Sequence, residues 1–147
     1  MKLLFVTFST MSSNTGHLAR LSLELKDLAK LNTISVVCLG KNPEEEQNKK
    51  KYKNITFFHS PVTFNGWEVS NLSETIDNID RIVNEIKPDL VILQMEIWDL
   101  VRELGKHFKG RVSFATVFHA MPFLGSPVKP TGDYTKDIID NANSGID

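Results

Sequence analysis

KLLFVTFSTMSSNTGHLARLSLELKDLA, residues Lys2 to Ala29, holds two hydrophobic patterns joined by a polar loop. Leu3, Leu4, Phe5, Val6 and Phe8 form a nearly continuous apolar run, which suits a strand buried on both faces in the middle of a parallel sheet. The composition then turns to Ser9, Thr10, Ser12, Ser13, Asn14, Thr15 and Gly16, a polar loop with one glycine. From Leu18 the apolar residues recur at Leu18, Leu21, Leu25 and Leu28, which marks one face of a helix. Strand, loop and helix in this order make the first half of a βαβ unit. The loop falls at the carboxyl end of the strand and its last residues open the helix. Free backbone N–H groups and the positive end of the helix dipole gather there, so Asn14, Thr15, Gly16 and His17 form a candidate seat for phosphate or another anion. Asn14 or Thr15 also serves as a plain helix cap, and the two roles are compatible.

The rest of the chain repeats the alternation. Ile34 to Leu39 make a second strand closed by Gly40, with the single cysteine, Cys38, inside it as an inert core thiol. Lys41 to Asn54 carries three glutamates and then four lysines, and reads as a solvated connection. Ile55 to Phe58 form a third strand ending at His59. Ser60 to Asn71 reads as an irregular loop whose Trp67 plugs the edge of the core. Leu72, Ile76, Ile79, Val83 and Ile86 mark a second helix that Pro88 ends. Leu90 to Leu93 make a fourth strand, and Ile97, Leu100, Val101, Leu104 and Phe108 a third helix stopped by Gly110. Val112 to Phe118 form a fifth strand ending at His119. Ala120 to Gly132 reads as loop, and Tyr134 to Ile139 as the start of a further helix. The pattern predicts one three-layer, Rossmann-like α/β domain over residues 1–147, with a parallel β-sheet and helices on both faces.

At 147 residues the chain has length for one domain with a full core, and its 41% hydrophobic and 24% charged residues are ordinary for a globular protein. The net charge of −1 gives no pull toward nucleic acid. No apolar run reaches the ~20 residues of a membrane span. The start MKLLFVTF reads as a strand rather than a leader peptide, and the lone cysteine points to a reducing, cytoplasmic setting. No metal-ligand spacing, dinucleotide fingerprint or P-loop is visible.

In open parallel sheets the ligand sits outside the carboxyl ends of the strands, where strand order reverses. That rule collects Thr10 to His17, His59, Gln94 to Glu96, and His119. His119 follows FATVF and precedes a turn-rich loop; a histidine there can act as general base or bond a hydroxyl. Glu96 is a second candidate for substrate binding.

The motifs MKLLFVT, NTGHLARLSLELKDLAK, ISVVCLGK, KPDLVILQME and FATVFHAMP, in this order over Met1 to Phe123, resemble the N-terminal domain of a glycosyltransferase of the GT-B fold, family 4-like group. The resemblance implies that this domain binds the acceptor, that Thr15-Gly16 approaches the diphosphate of a nucleotide-sugar donor, and that His119 contacts the reacting sugar or acceptor hydroxyl. It implies a retaining, metal-independent sugar transfer with no cofactor beyond the donor substrate. The family often has two adjacent glycines where this chain has Thr15 and Gly16. It also has a second, donor-binding domain that is not in this sequence. The chain is therefore expected to be a piece of a longer enzyme, a half completed by a partner polypeptide, or a truncated gene product, inactive alone. A carbohydrate or lipid-linked acceptor and peripheral contact with the inner membrane face belong to the same expectation. A flavodoxin-like domain that binds FMN or another small ligand is the alternative, and a non-catalytic interaction domain a third. The first strand between second and fourth marks the glycosyltransferase half, whereas flavodoxin has the order 2-1-3-4-5.

Overall fold

The computed structural model describes residues 1–7, 23–40, 52, 54–66, 68–95 and 97–117. The first strand, β1 (Lys2–Thr7), is the centre of a five-stranded sheet. Its last five residues are all buried, as its continuous apolar run requires of a strand covered on both faces. On one side lie β2 (Thr33–Cys38) and then β3 (Ile55–His59). On the other lie β6 (Leu90–Gln94) and then β7 (Ser113–Thr116). All four pairings are parallel. The sheet is α/β and Rossmann-like, as the alternation predicts. Counting only its own strands in sequence, the order is 3-2-1-4-5 and not 2-1-3-4-5.

The alternation of side chains along the strands divides the core in two. Leu4, Val6, Val37, Leu39, Val91 and Leu93 face one layer. It is closed by the helices Leu72–Ile86 and Trp98–Phe108, through Ile79, Ile82 and Val83 on the first and Leu100, Val101, Leu104 and Phe108 on the second. Leu3, Phe5, Ile34, Val36, Cys38, Ile55 and Phe57 face the other layer, where Leu25 and Tyr52 cover them. Leu25 belongs to helical residues 23–28, here α1; the two longer helices are α2 and α3. Cys38 is a fully buried thiol, as expected.

Three features differ from the sequence reading or add to it. Residues 60–71 are not wholly irregular. They include an antiparallel hairpin of β4 (Phe64–Asn65) and β5 (Glu68–Val69), turned at Gly66 with φ 63°. Two-residue strands are too short to show a period, although a glycine at the first loop position, here Gly66, is a hairpin signal in itself. Second, α2 begins at Leu72 and its preceding residue, Asn71, does not cap it. The Asn71 side chain turns back instead, accepting from Thr63 N–H at 2.8 Å and donating to Pro61 O at 2.9 Å, so it pins the hairpin's entry. Third, β7 is shorter than the run Val112 to Phe118 and most of it is exposed, Phe114 at 42%. It is an edge strand of the described sheet, which removes the burial that its composition would suit.

Helix α2 ends on Lys87 in the left-handed region at φ 52°, its N–H bonded to Val83 O at 2.8 Å. Glycine is the usual residue there, and a side chain in that conformation costs about 1 kcal/mol. Pro88 follows and prevents the helix from continuing.

Candidate functional site

The strand order reverses once across the sheet, between β1 and β6. The crevice that such a reversal opens lies at the carboxyl ends of these two strands. Thr7 ends β1 and Gln94 ends β6, and the two are partners in register. Both are polar and buried, at 3% and 7% exposure. Every other position of β1 from Leu3 to Val6 is apolar, so polarity enters the strand where the crevice begins. A threonine hydroxyl and a glutamine amide each donate and accept, which suits a neutral, hydrogen-bonding ligand group.

The neighbouring strands end at the same edge. Leu39 N–H donates to Thr7 O at 2.9 Å, and Val117 N–H to Leu93 O at 2.9 Å. These bonds carry the parallel ladder one step past each strand, so β2, β1, β6 and β7 finish level. Ser60 N–H donates to Cys38 O at 3.0 Å and extends the edge to the end of β3. His59 closes that far corner. Its Nε2 lies 2.6 Å from Gly40 O. A carbonyl only accepts, so Nε2 carries the proton in this contact. The ring ties β3 to the end of β2, two strands from the crevice. Of the edge residues that the sequence rule collects, Gln94 and Met95 lie at the switch point and His59 does not.

Asn14, Thr15, Gly16, His17, Glu96 and His119 lie outside the described residues, as do Trp67 and the lysine run. The described residues that border these stretches in the chain include Thr7, Met95, Ile97 and Val117. Thr7 and Val117 stand at the carboxyl edge. Met95 and Ile97 flank Glu96 with both side chains buried in the core layer of α2 and α3.

Asp99 is a residue that the sequence reading passed over. It stands in the first turn of α3, directly after the carboxyl end of β6, and is bound by Arg102 Nη2 at 3.0 Å. Burial pushes its carboxyl above the usual aspartate range, against the pull of Arg102; the charges of Glu68 and Glu103 add to the rise. Glu68 reaches it from β5, which packs on α3. A carboxyl with a raised pKa is a common mark of a functional site, and Asp99 follows the carboxyl end of β6 by five residues in the chain. From sequence alone, an acidic residue in a first turn reads only as a partner of the helix dipole.

At the opposite end of α3 lies another polar cluster that periodicity does not reveal. Asp80 Oδ1 is 2.8 Å from Arg111 Nη2 and 3.0 Å from His107 Nε2, and Asp80 Oδ2 accepts from Asn84 Nδ2 at 2.9 Å. His107 Nε2 is also 2.8 Å from Arg111 Nη1. One nitrogen cannot donate to Asp80 and accept from Arg111 together, so the Asp80–Arg111 pair is the contact common to both tautomers. Burial raises the Asp80 carboxyl, but the hydrogen bonds and charges of His107 and Arg111 outweigh it and leave the carboxyl below its usual range. His107 is exposed and still ties α3 to α2.

Among the described residues, no group of three or more His, Cys, Asp or Glu could hold a metal ion. No described helix is long and apolar enough to cross a membrane. Comparison of the sequence with models of known families and with curated proteins gives no match.

Proposed function

We propose that the chain is the acceptor-binding half of a glycosyltransferase built from two Rossmann-like domains. The observation that carries this reading is the position of β1, with β2 and β3 on one side and β6 and β7 on the other. It gives one switch point, floored by the buried polar pair Thr7 and Gln94, and it is the order that separates this reading from the flavodoxin-like one. Fold alone does not select a reaction, so the reading also leans on the motif order along Met1 to Phe123.

On this reading a carbohydrate or lipid-linked acceptor enters the crevice, and Gln94 and Thr7 bond its neutral hydroxyl groups. Asn14 to His17 face the donor diphosphate, with the Gly16 N–H among the groups that stabilise its charge. Glu96 binds the acceptor, and His119 orients the reacting groups. The bond between the sugar's anomeric carbon and the diphosphate breaks, and a bond to the acceptor oxygen forms. The hydroxyl proton passes to the departing diphosphate, and a nucleoside diphosphate leaves. A second domain, on this chain's continuation or on a partner polypeptide, supplies the nucleotide site. The setting is cytoplasmic, with contact at the inner membrane face.

The test is turnover of nucleotide sugars by this chain alone and mixed with the polypeptide encoded downstream. Turnover in the mixture that is lost in His119→Ala supports the proposal. Turnover that survives both His119→Ala and Gln94→Leu would remove the crevice from the chemistry. A yellow purified protein inactive in both samples would favour the flavin reading.

A further inference from the structure

A cavity of about 210 Å³ opens at the opposite edge of the sheet from the crevice. It is lined by Val83 and Asn84 of α2, by Lys87 and Pro88 ahead of β6, and by Arg111 and Val112 ahead of β7. The five residues of β6 put roughly 13 Å between this edge and the carboxyl edge, so the two sites do not share a ligand. Val83, Pro88 and Val112 supply apolar surface, and Lys87 and Arg111 supply positive charge. We propose that the cavity binds a small carboxylic acid, its carboxylate on Lys87 and Arg111 and its apolar body against Val83, Pro88 and Val112.

Three observations support this assignment. The first is the supply of donors. Arg111 spends Nη2 on Asp80 and Asn84, and Nη1 on His107, while its Nε–H makes no hydrogen bond among the described residues. The Lys87 ammonium has no ion-pair or hydrogen-bond partner among the described residues. A carboxylate has two oxygens to receive such donors. The second is the backbone at Lys87. The left-handed cap there favours glycine, so the side chain is kept against a local preference, and that side chain borders the cavity. The third is the state of the helix end. The negative end of α2 would oppose an anion. Two of its terminal carbonyls are already satisfied, Val83 O by Lys87 N–H at 2.8 Å and Ile86 O by Lys2 Nζ at 3.3 Å. Asp80, the acidic group of the cluster, is held by Arg111 at 2.8 Å and lies 3.0 Å from His107 Nε2. The apolar floor separates the assignment from a site for inorganic phosphate, which offers nothing to bury there.

The experiment uses the full chain with benzoate, benzamide and inorganic phosphate as probes, followed by methyl NMR of Val83 and Val112. Benzoate is expected to shift both methyl sets saturably, with benzamide and phosphate each at least about tenfold weaker. Lys87→Gly keeps the left-handed cap without strain, so the fold is retained while the cation is lost. It is expected to weaken benzoate about tenfold, and Lys87→Arg to restore binding. No shift with benzoate, equal binding of benzamide or phosphate, or unchanged benzoate binding in Lys87→Gly would each overturn the proposal.

Discussion

Replacing Asp80 by Asn removes one negative charge and leaves the side chain's size unchanged, so it isolates the electrostatic part of the clasp between α2 and the end of α3. The carboxylate touches Arg111 at 2.8 Å, His107 at 3.0 Å and Asn84 at 2.9 Å. Hydrogen bonds to charged groups are worth about 1.5–3 kcal/mol when buried, and exposed ion pairs about 0.2–1 kcal/mol. The Asp80 side chain is 23% exposed and that of Arg111 43%, so solvent screens part of the interaction. The expected loss near neutral pH is about 1–2 kcal/mol, or about 3–6 °C in Tm for a chain of this length. The sign of the pH dependence follows from the lowered carboxyl. A carboxyl whose folded pKa is depressed contributes stability that is present above its unfolded value, about 3.9. That stability is lost as pH falls through the folded pKa. The assay is thermal unfolding by circular dichroism of the wild type and Asp80→Asn between about pH 7 and the acid limit of folding. The gap should hold constant to about pH 5 and close below that. A gap that persists at the acid limit, or that is missing at neutral pH, would refute an electrostatic clasp.

Asp99→Asn should behave in the opposite sense. Its carboxyl is raised, so the ionised form costs stability above the unfolded pKa, and the variant should be neutral to stabilising near neutral pH and indistinguishable in acid. Thermal scans at two pH values decide this, and a clear destabilisation at neutral pH would mean that the Arg102 bond outweighs burial. Ser60 is 1% exposed and its Oγ has no hydrogen-bond partner among the described residues, so Ser60→Ala should cost nothing or stabilise by up to about 1 kcal/mol in urea unfolding. A loss beyond about 1 kcal/mol would reveal a bound water or ligand on that hydroxyl. Phe108 is fully buried against the sheet, and Phe108→Ala should cost about 3–5 kcal/mol by the same measurement. Gly66→Ala meets no neighbouring atom, so its cost of about 1 kcal/mol would come from the positive φ alone. Equal stability of wild type and Gly66→Ala would remove the turn from the account.

The elements that sequence determined are those with a local signature. The four apolar residues from Leu3 to Val6 and the run Ile34 to Leu39 announce buried parallel strands, because burial on both faces removes the polar alternation. The four-three spacing from Leu72 to Ile86 announces α2, because the helix repeats every 3.6 residues. Pro88 fixes where that helix ends, since it has no N–H to continue the ladder. Tertiary structure decided everything that joins distant residues. Thr7 and Gln94 are ordinary in sequence and become a candidate site through pairing in register across the switch point. Asp80, His107 and Arg111 are three solvated polar side chains until two helices and a turn bring them within 3.0 Å. The strand order 3-2-1-4-5 has no local trace either, because each hydrophobic run states that it is buried but not which neighbour buries it. Periodicity is a property of a few consecutive residues, whereas pairing is a choice among the surfaces of the whole chain. That difference separates what could be read along this sequence from what its folding alone reveals.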